Sequence, residues 1–208
     1  MLESFLESIL AFMDKGGFVM LPLSLMGMVL WYAIGCRMAL LKRGNVRSVR
    51  VLVFRYAKGY KRPPSGIVDS AVIEGLMVKS AAPRYLRKVL DERFGLLIDI
   101  MKSYKGIISA IVICSPLCGL LGTVSGMIET FESLSEMALF TQTGGIAGGI
   151  SEALFTTQMG LAVAIPGLLM GRMLDRKEEN IAMELDKLKD FLCSEELEIK
   201  NEIFKKKA

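Results

Sequence analysis

The chain has 208 residues, 52% of them apolar and 23% charged, with a formal net charge of +4 and no histidine. A mean hydropathy of +0.43 alongside so many charges excludes one evenly mixed globular core and points to apolar blocks alternating with charged ones. Residues 1–15 place Leu2, Phe5, Leu6, Ile9, Leu10 and Met13 on one helical face and Glu3, Ser4, Glu7 and Ser8 on the other, the spacing of an amphipathic helix. Such a helix lies flat in the outer membrane interface or packs on a neighbouring subunit. The start MLESFLESIL is acidic, where a secretory leader would be basic.

Residues 16–36 form the first of three uncharged runs. Pro22 falls near its start, where a helix tolerates proline, and Trp31-Tyr32 precede Arg37 as an interfacial anchor. With no interior charge, this is the lipid-facing span. Residues 37–105 read as a cytoplasmic loop of short helices, punctuated by Pro63-Pro64-Ser65-Gly66 and by Ala81-Ala82-Pro83. Pro83 suits a first helical turn, and no proline follows until Pro116. One long helix from about residue 83 is therefore expected to become the second span, 106–128. A short periplasmic hairpin, 129–145, leads to the third span, 146–171, which runs on into a C-terminal helix, 172–208. In that tail Ile181, Leu185, Leu188, Leu192, Ile199 and Ile203 repeat at fours, threes or their sum, a seam for packing on another helix.

The uncharged runs Gly16–Cys36, Gly106–Ile128 and Ala153–Gly171 are each about 19–23 residues, so as helices they reach roughly 28–35 Å, enough for a ~30 Å hydrocarbon core. Of the 26 basic residues, 16 lie in 37–105 and nine in 172–208. The positive-inside rule then puts the loop and C-terminus in the cytoplasm and the N-terminus outside. Topology and anionic lipid already explain the basic loop, without nucleic acid. The expected fold class is an all-α membrane protein with three transmembrane helices, two of them extended into a cytoplasmic helical bundle.

Glu152 stands at the mouth of the glycine- and threonine-rich stretch Gly144–Gly171. A charge at the membrane centre costs ~2.5–3.5 kcal/mol on insertion scales, so a carboxyl there marks a functional site for a proton or cation. An alternative placement is the outer rim, where a helix N-terminus favours an acid. Glu152, Thr156, Met159 and Val163 share one face, while Thr157 lies about 140° round from Glu152. Only a broad face or a passage lined by several helices contains both threonines. In the second span Cys118, Gly122 and Gly126 recur every four residues, a small-residue packing face; Gly119 and Gly160 join the packing set. Thr123 and Ser125 add hydroxyls that line a wet passage or bond back to their own helix. Pro116 and Pro166 are candidate bends.

The four cysteines, Cys36, Cys114, Cys118 and Cys193, fall in spans or on the reducing side and read as packing residues. Without histidine or a second cysteine pair, no metal site is expected. No nucleophile–base constellation or phosphate loop suggests an enzyme.

At these residues the sequence resembles the MotA/TolQ/ExbB family of ion-driven motor channels, specifically its ExbB/TolQ branch. PLCGLLGTVSGMIETF is similar to the family's GLxGTVxGxxxxF second span. IAGGISEALFTTQMGLAVAIP is similar to its third span, with a glutamate before Ala-Leu. By motif, Glu152 matches the family's pore glutamate, Thr157 the threonine five positions on, and Thr123 the threonine of Gly-Thr-Val. The resemblance implies a homopentamer in the bacterial inner membrane, its second and third spans lining a central passage. It further implies an ExbD-like single-span partner with a membrane aspartate, and a TonB-like protein that receives the work. The transported species would be protons or sodium ions, with no bound cofactor. Three spans rather than four set the chain apart from MotA, and the short N-terminus suits ExbB variants without a long external extension.

Overall fold

The computed structural model describes residues 16–44, 48–57, 64, 66–81, 85–137 and 144–194. The amphipathic segment 1–15 and the seam positions Ile199 and Ile203 lie outside the described residues. Among the described residues, six α-helices make up the regular structure: α1 Met20–Leu40, α2 Val49–Ala57, α3 Ile67–Ala81, α4 Leu86–Lys102, α5 Lys105–Met137 and α6 Gly144–Cys193. Helices α1, α5 and α6 carry stretches long and apolar enough to cross a membrane. The chain divides into two compact units, Met1–Gly35 with Tyr104–Arg172, and Cys36–Ser103 with Met173–Ala208.

The expected single helix from residue 83 through the second span is instead two helices. α4 ends at Lys102, Ser103 N–H closes back on the Ile100 carbonyl at 3.1 Å, and Tyr104 takes a left-handed φ of 65°. α5 itself begins at Lys105. A non-glycine residue at positive φ is uncommon and is held there by its surroundings. A scan for glycine and proline breakers does not find a Ser-Tyr joint. The helix that carries the expected second span continues past residue 128, to Met137. Both α5 and α6 run on as helix through their internal prolines, Pro116 and Pro166. Pro22 sits in the first turn of α1, where its missing N–H would have had no helical partner anyway.

In the first unit, α1 buries Met20, Leu23, Leu30, Ala33 and Ile34 and leaves Leu21, Leu25, Met28, Trp31 and Tyr32 exposed. Exposed large apolar side chains also run along α5 and α6, from Ile113, Leu117 and Leu121 to Leu161, Ile165 and Leu169. A soluble monomer rarely shows so much apolar surface; a helix facing lipid does. Glycines set the helix approaches. A Cβ at Gly27 would stand 3.4 Å from Val163, and one at Gly167 would meet Leu30 at 2.7 Å and Val112 at 2.9 Å.

The second unit packs as a water-soluble bundle does. Ile181, Leu185, Leu188 and Leu192 of the predicted seam are buried, together with Leu52, Val53, Val68, Val72, Leu90 and Phe94. Leu192 fills the space over Gly75, Phe191 stacks edge-on against Phe54 at 5.8 Å, and Lys79 donates to the Leu192 carbonyl at 2.8 Å. The first N–H groups of α3 are satisfied from a distance: Ile67 donates to the Lys42 carbonyl and Val68 to that of Arg43. That close backbone approach needs glycine at 44 and 66; Gly44 sits at φ 93°, and a Cβ on Gly66 would fall on the Arg43–Gly44 peptide. Arg37, read from sequence only as a topology marker, is 1% exposed and bridges Asp175 at 2.7 Å and Glu178 at 2.6 Å. Arg43 grips Glu184 through Nε and Nη2, and that hydrogen-bonded carboxylate raises the Arg43 pKa above its usual value.

Candidate functional site

The site is built on the antiparallel contact between α5 and α6. Small residues bring the two backbones together at successive levels. A Cβ at Gly160 would lie 2.7 Å from the Ser115 carbonyl oxygen and 3.3 Å from Gly119 Cα. One at Gly119 would lie 3.1 Å from the Thr156 carbonyl and 3.2 Å from Thr157 Cα. Gly122 leaves the space that the Thr156 side chain fills. A Cβ at Gly126 would stand 2.5 Å from the Gly149 carbonyl and 3.0 Å from Ala153 N. Backbones this close gain dispersion contacts along their whole length, the usual means by which helices associate in lipid.

This register places Glu152 at the level of the last turns of α5. Its side chain is half-buried, and two neighbours define its surroundings. Glu129 of α5 is near enough for its carboxyl to interact with that of Glu152. Against the carboxyl stands Gly17, in the turn that precedes α1, at φ 60°. The Glu152 carboxyl occupies the position a Cβ on Gly17 would take, with Oε2 3.1 Å from that point. Neither neighbour is visible in the spacing of the third span. Glu129 lies just past the uncharged run in the sequence, and Gly17 is one of two adjacent glycines at the start of the first run.

The threonines are disposed unequally. Thr156 is fully buried, and its hydroxyl is shared between the Glu152 and Ala153 carbonyls, at 3.1 Å each. Thr157, half-buried, donates to the Ala153 carbonyl at 2.9 Å. On α5, Thr123 donates to the Leu120 carbonyl at 2.7 Å, and Ser115, beside Pro116, to that of Ile111 at 2.7 Å. Each hydroxyl proton is engaged with its own helix, which leaves oxygen lone pairs as the groups available to a passing ion or water. Because Gly119 and Gly122 lie against Thr156–Thr157, Thr123 stands at that same level, one turn further along the hairpin than Glu152.

Chemically, two neighbouring carboxyls share a hydrogen bond only if one carries a proton; as a charged pair they attract a cation. Such a pair is the kind of group that binds a proton or a small monovalent cation.

Comparison with known proteins places these residues in a family. Residues 60–187 match the model of the MotA/TolQ/ExbB proton channel family. A Synechocystis sp. protein named ExbB-like 3 is 36% identical over 102 residues, 49% of each chain. The biopolymer transport protein exbB1 of Vibrio cholerae is 35% identical over 68 residues, 33% of this chain and 30% of that one. The biopolymer transport protein ExbB of Salmonella typhimurium is 32% identical over 88 residues, 42% of this chain and 36% of that one. The matched stretch spans about half the length, or less, of these curated relatives.

Proposed function

The chain belongs to the MotA/TolQ/ExbB proton channel family, and from that premise we propose that it is the ExbB-like, channel-forming subunit of an ion-driven motor in the bacterial inner membrane. Five copies surround a central passage lined by α5 and α6. The passage holds the single span of an ExbD-like partner, whose membrane aspartate carries the ion. The charged unit faces the cytoplasm and the N-terminus faces the periplasm. Glu152 exchanges the proton or influences its passage, and the lone pairs of Thr157 and Thr123 assist transfer. Thr156 supports Glu152 from within the α5–α6 contact. The output is movement delivered to a TonB-like protein serving outer-membrane transport, in keeping with the biopolymer transport named for the relatives. No step requires enzymatic chemistry or a bound cofactor.

The observation that carries this reading is the half-buried Glu152 carboxyl, lodged against the Gly17 backbone within an apolar unit. The energetics support it: one elementary charge crossing 100 mV releases ~2.3 kcal/mol, so a few ions per cycle can reset a weak protein interface. In proteoliposomes containing the chain and its single-span partner, Glu152→Gln and Glu152→Ala are expected to abolish partner-dependent proton flux while membrane insertion stays intact. Full flux in both variants would remove Glu152 from the mechanism.

A second reading is favoured by the back-bonded threonines and the buried Thr156: a non-conducting scaffold that holds a partner by helix packing. It tolerates loss of Glu152 and Thr157 but fails when Gly122 or Gly126 is enlarged. A stator driving a different load, of TolQ type or for gliding or secretion, would share the Glu152 result and differ in its partner.

A further inference from the structure

The turn before α1 meets the Glu152 carboxyl in a way that the family match does not address. Gly17 is at φ 60°, in the left-handed region. Independently, the space above its Cα is filled by the carboxyl of a residue 135 positions away in the chain, so closely that no Cβ fits. The neighbouring Gly16 has a different environment, its missing Cβ being replaced by the flexible Met20 side chain. Other glycines of the same unit, Gly35, Gly106 and Gly148, have nothing within 4 Å of the position a Cβ would take. Absence of a side chain is thus a specific requirement at position 17, and what it accommodates is the one carboxyl on which the ion-exchange reading turns.

We infer that Gly17 is a positioning residue for Glu152: its bare Cα forms a seat for the carboxyl in the turn preceding α1. Seated there, the carboxyl lies against backbone at α1's entry turn. The functional consequence rests on the reading of Glu152 as the ion-exchanging group; the positioning itself does not. Any side chain at 17 displaces the carboxyl, whatever its polarity. That separates the seat from a simple demand for left-handed backbone, because asparagine adopts positive φ readily yet still carries a Cβ.

Three measurements on the full chain test this. In the native protein reconstituted in lipid, with glycine and glutamate labelled by carbon-13, solid-state NMR should show a through-space cross-peak between Gly17 Cα and Glu152 Cδ. Its absence overturns the seat without any mutation. Next, the Glu152 carboxyl band, identified by infrared difference against Glu152→Gln, should shift in both Gly17→Ala and Gly17→Asn. It should return towards the Glu152→Asp position in the Gly17→Ala/Glu152→Asp double variant, where the acid is shorter by one methylene. An unshifted band in both single variants overturns the proposal, and a shift in Gly17→Ala alone overturns it in favour of a backbone requirement. Finally, partner-dependent proton flux should fall by on the order of tenfold to 100-fold in both Gly17 variants, the scale that ~1 Å misplacement of a reacting group produces. If flux survives Glu152→Gln, the ion-exchange reading fails while the cross-peak and band still decide the seat. If Glu152→Gln abolishes flux but the Gly17 variants leave band and flux at native values, only the seat fails.

Discussion

Along α6, the stretch from Gly149 to Gly160 meets α5 through residues with little or no side chain. The stretch from Ile181 to Leu192 instead buries isoleucine and leucine against Gly75 and neighbours such as Leu90 and Phe94. One continuous helix by assignment therefore uses two packing chemistries. In water, burying a leucine is worth ~1.5–3 kcal/mol because apolar surface leaves solvent. In lipid that gain vanishes, since acyl chains are as apolar as leucine, and what remains is close backbone contact and polar bonds. The α5–α6 seam accordingly brings backbone against backbone and leaves Leu117, Leu121, Leu161 and Ile165 exposed, while the charged unit buries Ile181, Leu185, Leu188 and Leu192. Function follows the same division. The close α5–α6 contact is what brings Glu129 near Glu152, a proximity bulkier side chains at the seam would prevent.

The comparison can be broken most severely at Gly160. Gly160→Val would drive side-chain atoms into the Ser115 carbonyl and Gly119, and backbone on both sides cannot yield. We expect a loss of ~3 kcal/mol or more, above the usual range for overpacking, read as loss of the folded form in detergent unfolding. Gly35→Ala, with nothing within 4 Å, should be near neutral in the same assay.

Next comes Arg37, where the charged unit buries a charge rather than a hydrocarbon. Arg37→Ala removes the cation that the 7%-exposed Glu178 is buried against, and one partner of the part-exposed Asp175. Removal of one member of a buried pair costs ~3–5 kcal/mol, with the exposure of Asp175 pulling the effect towards the lower figure. Thermal unfolding should show Arg37→Met with Glu178→Leu to be less damaging than Arg37→Ala alone. Equal damage would mean the ion pair itself, and not the orphaned carboxylate, holds the site.

The smallest effect is expected at Arg43–Glu184, whose side chains are 31% and 23% exposed. A bidentate but solvated pair contributes ~1 kcal/mol or less, and a double-mutant cycle in unfolding experiments would measure it. The more exposed pairs Arg87–Asp190 and Arg93–Glu74, at 3.6 and 3.7 Å, should give still less. If Arg43–Glu184 matched Arg37, burial would not be the variable that separates them.

Local pattern was sufficient for some of this. Three uncharged runs of membrane-crossing length announce three apolar helices, because length and the absence of charge are properties of contiguous residues. The spacing of Ile181, Leu185, Leu188 and Leu192 announces an inward face for the same reason: helical periodicity is local. Pattern failed at Ser103–Tyr104, where the helix breaks without a glycine or proline. It also failed at Arg37, whose charge marks an inner membrane boundary equally well whether it is solvated or enclosed.

By itself, then, the amino-acid sequence determined which segments are helical and apolar, where small residues recur, and that one carboxyl lies beside the third apolar run. Only the tertiary structure decided what that carboxyl touches. Gly17 and Glu129 lie 135 and 23 positions from Glu152 in the chain, and Asp175 and Glu178 lie 138 and 141 from Arg37. Periodicity within one helix carries no information about which residue of another helix it will meet. That information arises only when backbones settle at the separation their side chains allow, and here glycine sets that separation.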